Sequence, residues 1–258
     1  MLRFKSLGSG SAGNATVVEA GSGHFTKRLL IDCGLGVKTL ETRLALAGLV
    51  ASQIDAIFVT HEHSDHIGCS RQLALRHRIP VWMSHGTHGG AGEPDFDGLL
   101  QSAQDGICID LGELQVTPFT VPHDAREPLQ LRCSDGARHL GVLTDLGHAT
   151  SHVLENLAGC HALLLECNHD AQMLASSAYP AFLKKRVGGR LGHLCNEDAA
   201  AIARSIDHSG LQYIVAAHLS RQNNHPDLAR AALAQALGRE LAAIAVADQA
   251  SGCDWIRL

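Results

Sequence analysis

The chain has 258 residues, 45% hydrophobic and 18% charged, with a net charge of −5 when His is counted neutral. That length and apolar share can bury a sizeable core, while the negative balance excludes a protein that coats nucleic acid through a broad basic surface, leaving local basic contacts open. No apolar stretch approaches a membrane span and residues 1–14 lack the apolar core of a signal peptide, so a cytoplasmic protein is expected; eight Cys without a C-x-x-C pair read as free thiols there.

In chain order, Gly8-Ser9-Gly10-Ser11-Ala12-Gly13-Asn14 permits a tight backbone bend. Its N–H groups, with Ser9, Ser11 and Asn14, either receive phosphate oxygens or close an ordinary hairpin. Strand-like runs at 17–20 and 29–31 precede a helix-like stretch at 38–47 carrying Leu40, Leu44 and Leu46. Strand 57–60 then runs into Thr60-His61-Glu62-His63-Ser64-Asp65-His66.

Any chain with 17 His produces close His pairs by chance, but three imidazoles and a carboxylate in the order H-x-H-x-D-H at a strand end form a metal-binding pattern. In an extended segment His61 and His63 point the same way, and Asp65 and His66 lie one turn beyond, where a helix can begin. Glu62 and Ser64 are expected to face elsewhere. A helix is expected at 70–78. Residues 86–106, punctuated by Gly-Gly, Glu-Pro and Asp-Gly, read as a long surface excursion in which His85 and His88 are loop residues, without carboxylate partners.

The second half alternates strands at 114–121, 129–133, 140–144, 162–166 and 213–217 with helices at 151–157, 197–206 and 227–237, then strands near 241–246 and 254–258. His123, Asp145 and His218 each stand where one of these strands gives out. Structural zinc is closed by four ligands, whereas hydrolytic sites keep a position open or use two metals. Ligand-type residues at four strand ends favour the second arrangement.

These residues carry a resemblance. Asp32 in Leu30-Ile31-Asp32-Cys33-Gly34, the His61 to His66 motif, His123, Asp145 and His218 resemble, in order, the five motifs of the metallo-β-lactamase superfamily. Further strings are similar to the YycJ-like (VicX or WalJ) branch of bacterial nucleases: the opening Gly-Ser string, Leu165-Glu166-Cys167-Asn168-His169-Asp170, Gly192-His193-Leu194-Cys195-Asn196 and His218-Leu219-Ser220-Arg221-Gln222-Asn223-Asn224. The resemblance implies an α/β fold, a four-layer αββα sandwich. With no repeat or linker to divide the motifs, residues 1–258 are expected to form one domain.

The resemblance further implies two divalent ions, Zn or Mn. His61, His63 and His123 would hold one, Asp65, His66 and His218 the other, and Asp145 would bridge both. A hydroxide between the ions is the implied nucleophile, and Asp32 a hydrogen-bonding support for the loop. Glu166 with the Gly192 to Ala200 stretch also resembles ribonuclease Z, whose carboxylate and histidine dyad assists the leaving group. Thus His193 is the candidate proton donor, Glu166 its orienting carboxylate, and Asp65 is counted catalytic as well as ligating. Asn196 is the expected cap of the following helix. Ser9, Ser11, Asn14, His169, Ser220, Asn223 and Asn224 are candidate substrate contacts.

The implied activity is phosphodiester hydrolysis, as a 5′ DNA exonuclease whose partner is nucleic acid, with neither membrane nor obligate protein partner. Lactone or thioester hydrolysis on the same fold, or a non-catalytic metal-binding regulatory protein, are the alternatives. Lys184, Lys185, Arg186 and Arg190 form one basic group and Arg71, Arg76 and Arg78 another. Each is either a solvated helix face or a phosphate track, and an aromatic content of 4% leaves little for base stacking.

Overall fold

A computed structural model describes residues 1–258. The first sheet contains β1 (Leu2–Gly8), β2 (Ala15–Ser22), β3 (Phe25–Ile31), β4 (Ala56–Phe58), β5 (Val81–Met83) and β6 (Leu100–Ser102). The second contains β7 (Ile109–Asp110), β8 (Gln115–Thr120), β9 (Leu129–Ser134), β10 (His139–Leu143), β11 (Ala162–Glu166), β12 (Tyr213–Ala217) and β13 (Ile244–Val246). β14 (Ile256–Arg257) returns to the first sheet beside β1. Each sheet is antiparallel at one end and parallel at the other: β3 to β6 run parallel, as do β10 to β13. Functional loops of open α/β sheets gather at the carboxyl ends of parallel strands, and both halves supply such ends.

Strand periodicity accounts for the layers. Because side chains alternate between faces, Leu29 and Ile31, Ala56 and Phe58, Leu140 and Val142, Ala162 and Leu164, and Val215 and Ala217 all enter one core shared by the two sheets. Their neighbours Leu30, Ile57 and Val59 pack outward with Leu40, Leu44 and Leu73, which lie on helices α1 (Val37–Leu46) and α3 (Ser70–His77), between which the short α2 (Ser64–Ile67) is inserted. Leu143, Leu163, Leu165 and Ile214 pack on the other outer face. There they meet helices of the second half, which carries α5 (Ser151–Leu157), α6 (Ala171–Ser176), α7 (Ala181–Val187), α8 (Asn196–Ser205) and α9 (Pro226–Leu237), α4 (His85–Gly90) belonging to the first. Val153, Ala199, Ile202 and Leu233 make that contact from α5, α8 and α9. The order is helix, sheet, sheet, helix, as expected from the resemblance. Each fully buried aliphatic or Phe side chain stabilises the sandwich by about 1.5–3 kcal/mol relative to exposure.

Several expectations need correction. Residues 2–8 form a strand in which buried Leu2 and Phe4 alternate with half-buried Arg3 and Lys5. The 86–106 segment is not a bare excursion. It begins in α4, where Ser84 Oγ accepts the Thr87 N–H at 2.9 Å and Glu127 Oε2 accepts the Gly86 N–H at 2.7 Å, caps that offset the low helix propensity of its three glycines. It then supplies β6 and buries Phe96 in the outer core. His88 sits in α4 with Nε2 against the Pro94 carbonyl at 3.1 Å. A 3₁₀ turn, Leu241–Ala243, precedes β13, so the expected strand is shortened. Cys195, not Asn196, caps α8 through Sγ. All eight Cys are free thiols, and no helix is long and apolar enough to cross a membrane.

Candidate metal centre

The centre begins where β3 stops. After Ile31 the backbone of Asp32 turns to φ 62°, a left-handed conformation costly for a residue with a Cβ. Its N–H still donates to the Phe58 carbonyl at 2.8 Å. Its carboxylate then replaces the sheet ladder: Oδ1 accepts the Thr60 N–H at 2.8 Å and Oδ2 meets His66 Nδ1 at 2.8 Å. The 61–66 loop thus hangs from the neighbouring strand by one side chain. Gly34 lets α2 approach, since a Cβ there would lie 1.6 Å from the Asp65 carbonyl oxygen. Asn14 completes the seat, its N–H donating to the same carbonyl at 2.8 Å and its carbonyl accepting from Gly34 N at 2.9 Å.

Outer hydrogen bonds set the imidazole tautomers. His66 offers Nδ1–H to Asp32, His123 offers Nδ1–H to the Gly192 carbonyl at 3.1 Å, and His218 offers Nδ1–H to Glu166 Oε1 at 3.3 Å. Each keeps an Nε2 lone pair facing inward, the arrangement by which outer partners orient metal-binding imidazoles. His61 Nε2 and His63 Nδ1 approach to 3.0 Å, and His63 Nδ1 and His123 Nε2 to 3.4 Å. The donor atoms of His61, His63 and His123 lie within 4.8 Å of one another, as do those of Asp65, His66 and His218. Asp145 joins two further sets, one with His61 and His66 and one with Glu166, His193 and His218. It therefore stands between the two triads.

These donors fit divalent cations. Asp145 Oδ2 and His218 Nε2 are buried without a hydrogen-bond partner. His66 Nε2 lies 3.1 Å from Asp145 Oδ2; burial would lower that ring, but Asp145 and Asp32 raise it well above its ordinary value. Burial would raise Asp145, but the His218 and His66 imidazoles outweigh it and hold the carboxyl well below the usual range. Burial drives His61 well below its ordinary value, keeping it in the neutral form that binds metal. For His218 burial acts in the same direction, but Asp145, Asp65 and Glu166 overcome it and push the ring up to about 10. Positive charge on these rings is what keeps the buried carboxylate ionised, a role that a divalent cation fills when the same nitrogens turn their lone pairs to it, and nitrogen and oxygen donors suit zinc or manganese.

The known proteins most informative here agree with this geometry. The family described as the beta-lactamase superfamily domain matches residues 27–218. An exodeoxyribonuclease YycJ of Bacillus anthracis is 35% identical over 92% of this chain and 89% of its own. An exodeoxyribonuclease WalJ of Streptococcus pneumoniae is 31% identical over 92% and 88%. The chain belongs to the metallo-β-lactamase superfamily, in its YycJ/WalJ branch. A metallo-β-lactamase fold protein of Bacillus subtilis, YhfI, matches 99% of this chain and 98% of its own with a TM-score of 0.74 at 17% identity, a likeness of fold. Like its relatives, this superfamily member is a metal-dependent hydrolase.

Around the superfamily centre the remaining candidates divide. Glu166, fully buried, accepts from Leu146 N and Leu194 N through Oε2 at 3.2 and 3.1 Å, while Oε1 meets His193 Nδ1 at 2.8 Å and His218 Nδ1 at 3.3 Å. It thus orients the His193 ring and a candidate ligand at once, a double role not visible in sequence. Burial opposes its ionisation, yet His193 and His218 bring it down to about 2. For His193 burial is in turn outweighed by Glu166, which raises the imidazole.

A cleft of about 390 Å³ above the centre is lined by Ser11, Ser64, Asp65, Asp145, His193 and His218, among others. Ser64 therefore faces it, contrary to expectation, whereas Glu62 turns away to accept from Arg126 N at 2.9 Å. Ser9, Ser220 and Asn224 line a second cavity of about 340 Å³ with Arg221, Arg230 and Gln249. Ser9 Oγ also accepts the His218 N–H at 2.8 Å. Asn14, His169 and Asn223 are buried and absent from both linings. The Asn14 amide lies 3.0 Å from His66 Nε2 and 3.4 Å from Asp65 Oδ2. No part of 86–106 reaches the cleft. Its lip is instead Tyr179, Leu183, Arg186 and Val187, from a stretch where sequence periodicity predicts no element.

Proposed function

We propose that the protein is a two-metal phosphodiesterase that removes nucleotides from the 5′ end of DNA and works in the cytoplasm, its 258 residues acting as one domain. The observation carrying this reading is the convergence of two ligand triads on Asp145, in a chain 35% identical over 92% of its length to an exodeoxyribonuclease. His61, His63 and His123 would hold one ion, and Asp65, His66 and His218 the other. Asp145 would contribute to both, and the donor set suits zinc or manganese. Bound there, two divalent ions activate water and neutralise charge on the phosphodiester.

The chain's own groups do the rest. Asp32 and Thr60 hold the ligand loop in register, and Glu166 fixes the tautomers of His193 and His218. Asp65, reaching from α2 into the cleft, fixes the nucleophile side. His193, with Nδ1–H on Glu166, presents Nε2–H to the departing sugar oxygen, which accepts its proton as the phosphorus–oxygen bond breaks. Ser11 and Ser64 face the cleft and offer hydroxyls to the phosphate. Ser9, Asn14, His169, Ser220, Asn223 and Asn224 serve by shaping the walls behind it.

The test is a comparison on metal-reconstituted protein of DNA labelled at either end, RNA of matching sequence, and lactone and thioester substrates. Mononucleotide release from the 5′ end of DNA is expected, lost on chelation and restored by Zn²⁺ or Mn²⁺. Faster turnover of the lactone or thioester, or digestion starting at the 3′ end, would refute it.

A further inference from the structure

The lip of the cleft has a composition that neither folding nor the metal centre explains. Residues 177–191 carry Lys184, Lys185, Arg186 and Arg190 and not one acidic residue, in a chain of net charge −5. Within them α7 buries none of its residues. Phe182 is 74% exposed, whereas Phe4, Phe58, Phe96 and Phe119 are all fully buried, so core formation does not account for it. Tyr179 and Arg186 line the cleft itself.

Arg186 is held in place from below. Its Nε donates to Asp124 Oδ2 at 2.7 Å, and Asp124 Oδ1 lies 3.4 Å from His123 Nε2, so the guanidinium stands at the mouth with its outer nitrogens free to fork onto a phosphate. The lip is also tied to the chemistry by its backbone: the Val187 carbonyl accepts the His193 N–H at 2.8 Å and the Leu191 carbonyl the Asp124 N–H at 3.0 Å. Lys184 is committed to the Ala175 carbonyl at 2.6 Å, but Lys185 has no partner of its own. Cations interleaved with exposed ring faces are how proteins grip single strands without reading sequence. A cleft of about 390 Å³, near the small end of ligand pockets, has room beside the metal centre for the end of one strand.

We propose that the Tyr179 to Arg190 segment is a clamp for one nucleic-acid strand entering the metal cleft. Arg186 takes the phosphate at the mouth, Phe182 and Tyr179 stack on the bases that follow, and Lys185 and Arg190 track the backbone outward. The clamp rests on the nuclease reading above and assigns the contacts made by the strand that enters the cleft, whether its partner strand is present beyond the lip or not.

The experiment measures binding of a short labelled DNA strand to chelator-treated full-length protein, beside cleavage by the reconstituted enzyme. Phe182→Ala is expected to weaken binding roughly five- to a hundredfold, the span of one lost base stack, while Phe25→Ala, an equally exposed aromatic at 73% in β3, leaves it unchanged. Arg186→Ala and Lys185→Ala should each flatten the dependence of log Kd on log salt by about 0.7. If Phe182→Ala matches Phe25→Ala on a strand that the wild type cuts, the clamp is wrong and the nuclease reading stands. Wild type that neither binds nor cuts DNA defeats the nuclease reading, and the clamp with it.

Discussion

The floor of the cleft is made of side chains such as His61, His66, His218 and Asp145, at most 2% exposed, whereas α7 at its lip buries no residue. On the floor, outward-facing atoms are already bonded to Asp32, Thr60, Glu166 or a carbonyl, so each ring has one orientation. Three of the six non-glycine residues with positive φ, Asp32, Asp145 and His218, lie there. Such strain, of order 1–3 kcal/mol per residue, persists only where surroundings over-determine the backbone. The lip is fixed only at points, by Arg186 on Asp124 and by the Val187 and Leu191 carbonyls, and with no residue of α7 buried little else opposes its movement. Chemistry needs groups held to fractions of an ångström, while a surface that accepts any sequence needs adaptable contacts, so the division of labour follows from packing.

That contrast predicts that floor substitutions act on metal and turnover, and lip substitutions on affinity alone. The largest effect is expected at Asp145. Asp145→Ala should lower occupancy at both metal positions and bring activity to background; Asp145→Asn, which tolerates φ 57°, separates this from misfolding. Metal analysis showing two fully occupied ions in both variants would remove Asp145 from its place between the triads. Next comes His193→Ala, expected to keep both metals and thermal stability. It should lose about 10²–10⁴-fold on DNA and far less on a nitrophenyl phosphodiester, whose phenolate departs without a proton. Equal losses on the two substrates would make His193 a phosphate-binding or structural group. Glu166→Gln should not copy this pattern, because Oε1 also faces His218 Nδ1 at 3.3 Å; metal affinity should fall as well.

The floor was the more legible half of that contrast. The first sheet supplies its donors from one loop, and the H-x-H-x-D-H order stands out in any reading. Asp145 and His218 are single residues whose meaning depends on parallel strands ending side by side, a matter of topology, and resemblance rather than periodicity connected them. The layering was legible through the resemblance and not through periodicity; the alternation at residues 29–31, 56–59 and 140–143 explains it once the two sheets are seen to face each other. Glu166's second contact was not legible, because it crosses from β11 to the end of β12. Nor was the lip: α6 and α7 bury too few apolar side chains to leave a 3.6-residue stripe, and Phe182 reads as core until its exposure is known. The glycines of α4 hid a helix whose stability comes from Ser84 and Glu127, the latter 41 residues from Gly86.

A smaller effect is expected one layer below the floor. Asp32→Asn retains the left-handed backbone, since Asn tolerates φ near 62°, but it turns an acceptor facing His66 Nδ1 into a possible N–H donor and removes the negative charge that fixes the tautomer. Loss of such an outer partner costs about 10–100-fold in metal affinity or activity. Measurable metal with reduced turnover is expected by titration against a chelator. Wild-type affinity and turnover would mean that the Thr60 contacts alone hold the loop.

The smallest effect separates the two basic groups, which sequence leaves equivalent. Arg76 pairs with Glu41 at 2.8 Å, Arg78 with Asp97, and Arg71 Nε donates to the Asp95 carbonyl at 2.6 Å. All three are spent on the surface around α3, and none lines the cleft. Exposed pairs of this kind contribute about 0–1 kcal/mol; Arg186 is paired as well, with Asp124 at 2.7 Å, so what separates the groups is place, Arg186 alone of the four lining the cleft. Arg78→Ala should therefore shift thermal stability slightly and leave the Kd for a DNA strand and its salt slope within error of wild type, whereas Arg186→Ala flattens that slope. A loss of slope at Arg78 equal to that at Arg186 would place the strand along α3 and erase the distinction between lip and remaining surface, because both groups would then be drawing on the same phosphate backbone.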